Sequence, residues 1–358
     1  MRSHLNITHI PPKNWQGLTD KELGGRRENS VLVIRYGGYG DAAQSSSLFP
    51  LLQEKWDKVC VNVNQTGLTI LKSDPNVDEL IYQKENQIPN EELGPYWERL
   101  GSLFDKTYNL SGVIEGSLLC MDGINDIFHA SHKERHERLN KNYSEAIHDA
   151  LDLPYEFNAH FYPIGSEKKW VRKQRRKMGI RDDHFTVVIG LSGSSVHKAY
   201  PHMDAVISGL LLQYPDARIV MTGDGLCEIL ELGWEKEPRV YRRSGEWSIR
   251  QTIAFAQDAD IVIGPETGLL NAVSMDAVAK VCLLSHSSKE NLTKHWINTS
   301  TITPAFVHCF PCHKLHLAGF TTCNRDEETG ASICAARIEP HTVFNAVVDH
   351  KLELRKSA

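Results

Sequence analysis

The chain of 358 residues contains no apolar run approaching the ~20 residues that cross a bilayer, and its first residues, Met1 to Pro12, place no charged start before an apolar core. Neither a membrane-spanning nor a secreted protein is expected, and a cytoplasmic enzyme is the default. One-sided charge is also missing. Forty Lys and Arg against 45 Asp and Glu leave a formal net charge of −5, so no global field argues for nucleic acid. No GxxxxGKS or GxxxxGKT occurs, which excludes a P-loop for nucleotide hydrolysis. Cysteine is sparse until the end of the chain. Cys60, Cys120, Cys227 and Cys282 are scattered in apolar surroundings and read as small buried residues.

The other four cysteines are grouped. Cys309-Phe-Pro-Cys312 is followed by Cys323 and Cys334, with His308, His313 and His316 interleaved. One CxxC plus two single cysteines is the donor set of a tetrahedral structural zinc, although less specific than two CxxC knuckles. In a reducing compartment free thiols are the alternative, and persistent disulfides are not expected.

At 41% hydrophobic and 24% charged, the composition is that of a soluble globular chain, and the length fits two domains. Strand-like segments in the first half are Val31 to Arg35, Val59 to Val63, Glu79 to Tyr82, Lys106 to Leu110 and Ala159 to Pro163. The second half offers Thr186 to Leu191, Arg218 to Met221, Val240 to Tyr241, Asp260 to Ile263 and Lys280 to Leu284. Strands alternating with helical stretches predict mostly parallel sheets covered on both faces. The expected fold class is α/β: two Rossmann-like domains facing each other across a cleft.

The most informative stretch is Val31 to Asp41, an apolar strand that enters a glycine-packed turn ending on a carboxylate, with a helix expected over Ala42 to Leu52. Such a turn directs backbone amides at an anion or a reacting group. Gly38-x-Gly40-x-x-Ala43 fits the loose dinucleotide fingerprint. That reading also requires an acid at the end of the second strand, where Asn64 and Gln65 stand. A third reading is an ordinary turn whose Asp41 only caps the helix. In the second half, three more strand ends carry chemistry: Ser192 to Pro201 with Ser194, Ser195 and Lys198, Thr222 to Glu228, and Gly264 to Asn271 with Glu266, Thr267 and Gly268. Loops at strand ends share one sheet edge, so hydroxyls, amides and a lysine suit a diphosphate there and a carboxylate suits ribose hydroxyls.

Gly40-Asp41 with Pro50 beyond, the Lys198 to Pro201 segment, Gly264-Pro-Glu-Thr-Gly268 before a helix, and the tail with Cys309-x-x-Cys312 and Cys334 to Pro340 resemble glycosyltransferase family 9, the ADP-heptose:lipopolysaccharide heptosyltransferases and their relatives. The resemblance implies a GT-B fold. An acceptor domain would occupy 1–165, with an N-terminal extension 1–30, and a basic interdomain helix 166–183. A donor domain would occupy 184–358, with its cysteine-rich tail at 309–334. It also implies roles. Asp41 would be the general base of an inverting transfer, beside Gly38 and Gly40 on the acceptor side. Lys198 would stabilise the departing diphosphate, with Ser194, Ser195, Glu266, Thr267 and Gly268 around the donor and Glu228 on its ribose. The donor would be a nucleoside-diphosphate sugar, ADP-sugar favoured, and the transfer would need no divalent cation.

The chain departs from the heptosyltransferase pattern in having Glu266 where an aspartate is usual, Asn271 in place of a histidine, and Ala279-Lys280 where a proline precedes the strand. The segment from Glu115 to Asn142 has no counterpart in the pattern and is expected on the acceptor side. Seven of the ten residues from Lys168 to Lys177 are Lys or Arg, enough to attract phosphates at a membrane surface, on an anionic glycan such as lipopolysaccharide core, or on DNA. The acceptor is therefore expected to be anionic, a modified DNA base included, and peripheral membrane association is an expectation. Two rival classes are a nucleotide- or dinucleotide-binding protein with a redox-responsive cysteine cluster, and a transferase that binds nucleotide without catalysing.

Overall fold

A computed structural model describes residues 5–12, 14–316 and 320–357, without the side chains of 354–357. The chain divides into two compact units, one of residues 1–114 and 144–162 and one of residues 115–143 and 163–358.

The first unit is a five-stranded, all-parallel sheet of β1 (Asn6–His9), β2 (Ser30–Ile34), β3 (Lys58–Val63), β4 (Glu79–Tyr82) and β5 (Lys106–Asn109), in the order β1-β4-β3-β2-β5. Strand β2 is buried throughout, as its unbroken apolar run requires for a strand covered on both faces. The strand expected over Ala159 to Pro163 does not form. His160 N–H instead donates to the Ser46 hydroxyl at 2.8 Å and the Tyr162 carbonyl accepts from Ser73. The N-terminal extension supplies the fifth strand: β1 pairs with β4, Asn6 opposite Glu79, and its connection to β2 is held by Arg27, whose guanidinium bonds both oxygens of Glu79 at 2.7 and 2.8 Å. The helix α1 (Tyr39–Ser45) begins three residues earlier than expected and gives way to a 3₁₀ turn at Ser46–Leu48. Its companion α2 (Leu93–Gly101) buries Tyr96 and Leu100 in a core shared with Leu32, Ile34 and Phe104.

Residues 115–143, expected on the acceptor side, group instead with the second unit. Cys120 N–H donates to the His313 carbonyl at 2.9 Å, Leu315 N–H returns a bond to Cys120 at 2.8 Å, and Arg135 of α3 (His132–Leu139) donates to the Cys312 carbonyl. This insertion is therefore backed onto the cysteine-rich tail.

The second unit is built on β6 (Phe185–Gly190), β7 (Ala217–Thr222), β8 (Val240–Arg242), β9 (Ile261–Pro265), β10 (Ala279–Leu283) and β11 (Thr299–Ile302), all parallel in the order β11-β10-β9-β6-β7-β8. Renumbered from β6, this is the 3-2-1-4-5-6 order of a dinucleotide-binding sheet, whose ligands bind where the order reverses. Here that point lies between β6 and β9. In the first unit the corresponding reversal lies between β2 and β5.

The basic stretch of the sequence is helix α4 (Gly165–Lys177), and it belongs to the second unit rather than to a free linker. Glu167 reaches back to the Ile164 N–H at 2.9 Å, closing the first turn. Four more helices are used below: α5 (Met203–Gln213), α6 (Ile249–Ala256), α7 (Gly268–Ala272) and the C-terminal α8 (Pro340–Ser357). Val343 and Val347 of α8 join Ile207 and Leu210 of α5 in the core.

Candidate functional site

At the switch point of the first unit, β2 is followed by Arg35 and the chain turns through Gly37 and Gly38 into α1. Gly38 is the N-cap, and Gly40 lies in the first helical turn with Asp41. The Asp41 carboxylate is held at both oxygens. Oδ2 accepts from Gly38 N–H at 2.7 Å, and Oδ1 lies 2.7 Å from the Arg35 guanidinium. Arg35 is 2% exposed and also donates to the carbonyls of Tyr36 and Leu110, whereas Asp41 keeps 26% of its side chain exposed. A buried cation must be paired, and this one spends its charge on a carboxylate that still faces solvent. Gly37 is required beside it. Its φ is +147°, and a Cβ there would stand 2.7 Å from Asp41 Oδ2.

In the second unit the loops after β6 and β9, the two strands that flank the switch point, bring Lys198, Glu266 and Thr267 together. Lys198 is buried, and its ammonium donates to the Glu266 carbonyl at 3.0 Å. A Cβ at Gly193 would meet Lys198 Cδ at 2.8 Å and Thr267 Cγ2 at 3.1 Å, so only glycine lets these groups close on one another. Thr267 is the N-cap of α7 and Gly268 its first residue. Ser195, half-buried, accepts the Lys198 N–H on its carbonyl at 3.1 Å, and Ser194 is exposed in the same loop. His197, next to the lysine, is fully buried, and burial with the neighbouring Lys198 and His316 pushes its pKa down to about 3. It is neutral near pH 7, which leaves Lys198 as the cation of this cradle.

Glu266 is turned inward. One carboxylate oxygen accepts from the backbone amides of Ser285 and His286 at 2.9 and 2.7 Å and from the Ser285 hydroxyl. Burial alone would push this carboxyl up, but His286, Lys198 and the Ser285 hydroxyl outweigh it and hold the group at about 2. The structure thus gives Glu266 a visible task in fixing the loop after β10.

Glu228 stands exposed in the 3₁₀ segment Gly225–Glu231 after β7, its carboxylate against Gly245. Beside it, a cavity of about 600 Å³ is bordered by Glu228, Glu231 and the Tyr241 to Ser244 stretch. Buried Glu231 fixes that stretch by accepting the N–H groups of Arg243 and Ser244 at 3.1 and 2.9 Å.

Cys309, Cys312, Cys323 and Cys334 border one small cavity of about 120 Å³, together with His197, His286, His316, Arg135 and Lys314. All eight cysteines are free thiols. Burial pushes the Cys323 thiol up to about 12, and Cys334 and Cys309 add to the rise. Four thiols around one cavity match the donor chemistry of a tetrathiolate centre, while among the described residues no three His, Cys, Asp or Glu side chains stand in metal-ligand geometry.

The residues that the sequence reading missed are Arg35 and the Ser285 to Ser287 loop. Arg35 carried a signal: a cation closing an otherwise apolar buried strand needs a carboxylate within reach, and Asp41 is the acid across the turn. The Ser285 loop carried none, since its partner is 19 residues away.

No protein-family model matches the sequence, and no curated protein matches it. Solved structures do match. The fold is that of GT-B glycosyltransferases, two parallel α/β sheets with interleaved helices. More particularly, the chain is similar to a family 9 glycosyl transferase from Veillonella parvula, with a TM-score of 0.68 at 12% identity over 92% of this chain and all of that one. Similar too are the ADP-heptose lipopolysaccharide heptosyltransferase II of E. coli, with a TM-score of 0.60 at 16% identity over 91% and 99%, and the dodecameric iron-containing heptosyltransferase TibC, solved with ADP-D-β-D-heptose, with 0.58 at 13% over 92% and 78%.

Proposed function

We propose that this protein is an inverting glycosyltransferase that moves a sugar from a nucleoside diphosphate to a hydroxyl of an anionic acceptor such as lipopolysaccharide core. The observation that carries this reading is the cradle at the second switch point. There a buried lysine is fixed on a backbone carbonyl beside a threonine-capped helix start, in a fold whose solved examples include sugar transferases. Lys198 supplies positive charge to the β-phosphate oxygen as the bond from the anomeric carbon to that oxygen breaks. The acceptor oxygen attacks the anomeric carbon from the opposite side, and its proton passes to Asp41. Single displacement inverts the anomeric centre. Glu228, exposed after β7, is suited to the ribose hydroxyls, and the lysine fills the place that a metal takes at other leaving groups. An ADP-sugar is the favoured donor.

A thermal-shift panel of ADP, UDP, GDP, CDP, NAD and NADP tests the reading, since a ligand at 100 times its dissociation constant adds about 2.7 kcal/mol. Stabilisation by one nucleoside diphosphate is the expected result. Stabilisation by NAD or NADP alone overturns it in favour of the dinucleotide reading.

The four-cysteine group is assigned to a structural metal in the same proposal. Cys309, Cys312, Cys323 and Cys334 would hold it as thiolates and it would tie the tail together. One structure of similar fold is described as iron-containing, so zinc and iron are both to be measured. Protein purified under reducing conditions is expected to carry about one equivalent, as in closed four-thiolate sites; metal-free protein that melts unchanged in chelator removes the assignment.

A further inference from the structure

Helix α4 has two unlike halves. Its inner half is fixed to the second unit. Glu167 forms a two-pronged pair with buried Arg250 at 2.6 and 2.8 Å, Trp170 meets Trp247 edge to face with ring centroids 4.9 Å apart, and Arg175 faces Asp258 at 3.5 Å. Val171 is buried beneath them. The outer half is made of Lys168, Lys169, Arg172, Lys173, Arg176 and Lys177, all exposed. None of the six is in an ion pair among the described residues, whereas Arg175 beside them engages both Asp258 and Asp182. Thirteen helical residues make a rod roughly 20 Å long. Its solvent side is therefore a cationic strip, with Asp258 near enough to act on Arg172 at its border, on a chain whose net charge is −5.

The chemistry of that strip selects its partner. No aromatic side chain lies on it to stack bases, and no Asn or Gln reads base edges from it, because Gln174 is half-buried on the inner side. Four of the six cations are lysines, point charges on flexible stems rather than the planar forks that clamp single phosphates. A rigid row of mobile point charges, with no apolar residue to insert and no side chain to read a sequence, matches a diffuse sheet of negative charge.

We propose that the outer face of α4 docks the protein on an anionic lipid surface by electrostatic attraction alone, without insertion. The docking depends on neither the donor site nor the transfer reaction. Flotation of the full-length protein with phosphatidylglycerol–phosphatidylcholine vesicles tests it, against vesicles of phosphatidylcholine alone. Binding is expected only to the anionic vesicles at ionic strength about 0.1 M, and it should vanish near 1 M, where the Debye length falls from about 10 to about 3 Å. Lys169→Gln/Lys173→Gln/Lys177→Gln should weaken partitioning roughly 100-fold, and the independent pair Arg172→Gln/Arg176→Gln roughly 10- to 30-fold. Both should retain the wild-type melting temperature. Failure to bind anionic vesicles at low salt overturns the proposal. So do equal binding by either variant and binding that survives high salt.

Discussion

Asp41 and Glu266 are carboxylates placed alike and used differently. Each follows a parallel strand that borders the reversal point of its sheet, and each precedes or opens a short helix. Asp41 has one amide, one buried guanidinium and an exposed edge. Glu266 has a full set of donors on one oxygen and is buried. The difference lies in what surrounds the turn. Arg35 comes from just beyond the end of β2 and leaves the outer side of Asp41 open, whereas the Ser285 loop closes over Glu266. A carboxylate reached by solvent can exchange a proton with a substrate. One held by amides at a single oxygen fixes the loop that supplies them.

That contrast is sharpest in Asp41→Asn. Loss of a general base should lower the transfer rate about 10²- to 10⁴-fold, with nucleoside-diphosphate stabilisation and melting temperature close to wild type. Near-normal transfer would move the base elsewhere and make the two carboxylates alike. Arg35→Lys comes next: the carboxylate keeps a positive neighbour but loses its fork, and a misplacement of ~1 Å can cost about 100-fold in rate. Its signature is a fall in kcat at unchanged donor affinity.

Glu266→Gln should act on stability instead, costing about 1–3 kcal/mol by urea unfolding, because a neutral amide presents a donor and weaker acceptors to a set of N–H groups. The acid limb separates the two further. Glu266 is held at about 2 against an ordinary 4.5, so the stability it adds is complete above pH 4.5 and drains away as pH falls toward 2. The glutamine variant should show a shallower decline over that window; an unchanged slope would mean that Glu266 is not ionised in the folded state.

How much of this was legible in the chain follows from how local each feature is. The Val31 to Asp41 turn could be read directly, because strand, glycines and carboxylate are contiguous. The strands from Val59 to Leu110 and from Thr186 to Leu284 were legible from their apolar runs to within about a residue or two, the usual uncertainty of element ends. Strand β1 was not, since Asn-Ile-Thr-His carries a single strongly apolar residue and owes its conformation to the open edge of β4. Residues 115–143 were misplaced for a related reason: their partners, His313 and Cys312, are nearly two hundred residues away in the chain. Glu266 was read as a donor-site residue from its local motif, and the amides that hold one of its oxygens lie 19 and 20 residues away in the chain.

The pairing of Trp170 with Trp247 has an optical consequence. Trp247 stands two residues beyond Gly245, the position against which the Glu228 carboxylate rests, and its indole is in edge contact with that of α4. Two coupled indoles thus join the proposed ribose carboxylate to the cationic helix. The chain has seven tryptophans, so the pair's share of the emission is the difference between the wild type and Trp170→Phe, and that difference should change when nucleotide is added or when the helix meets a charged surface.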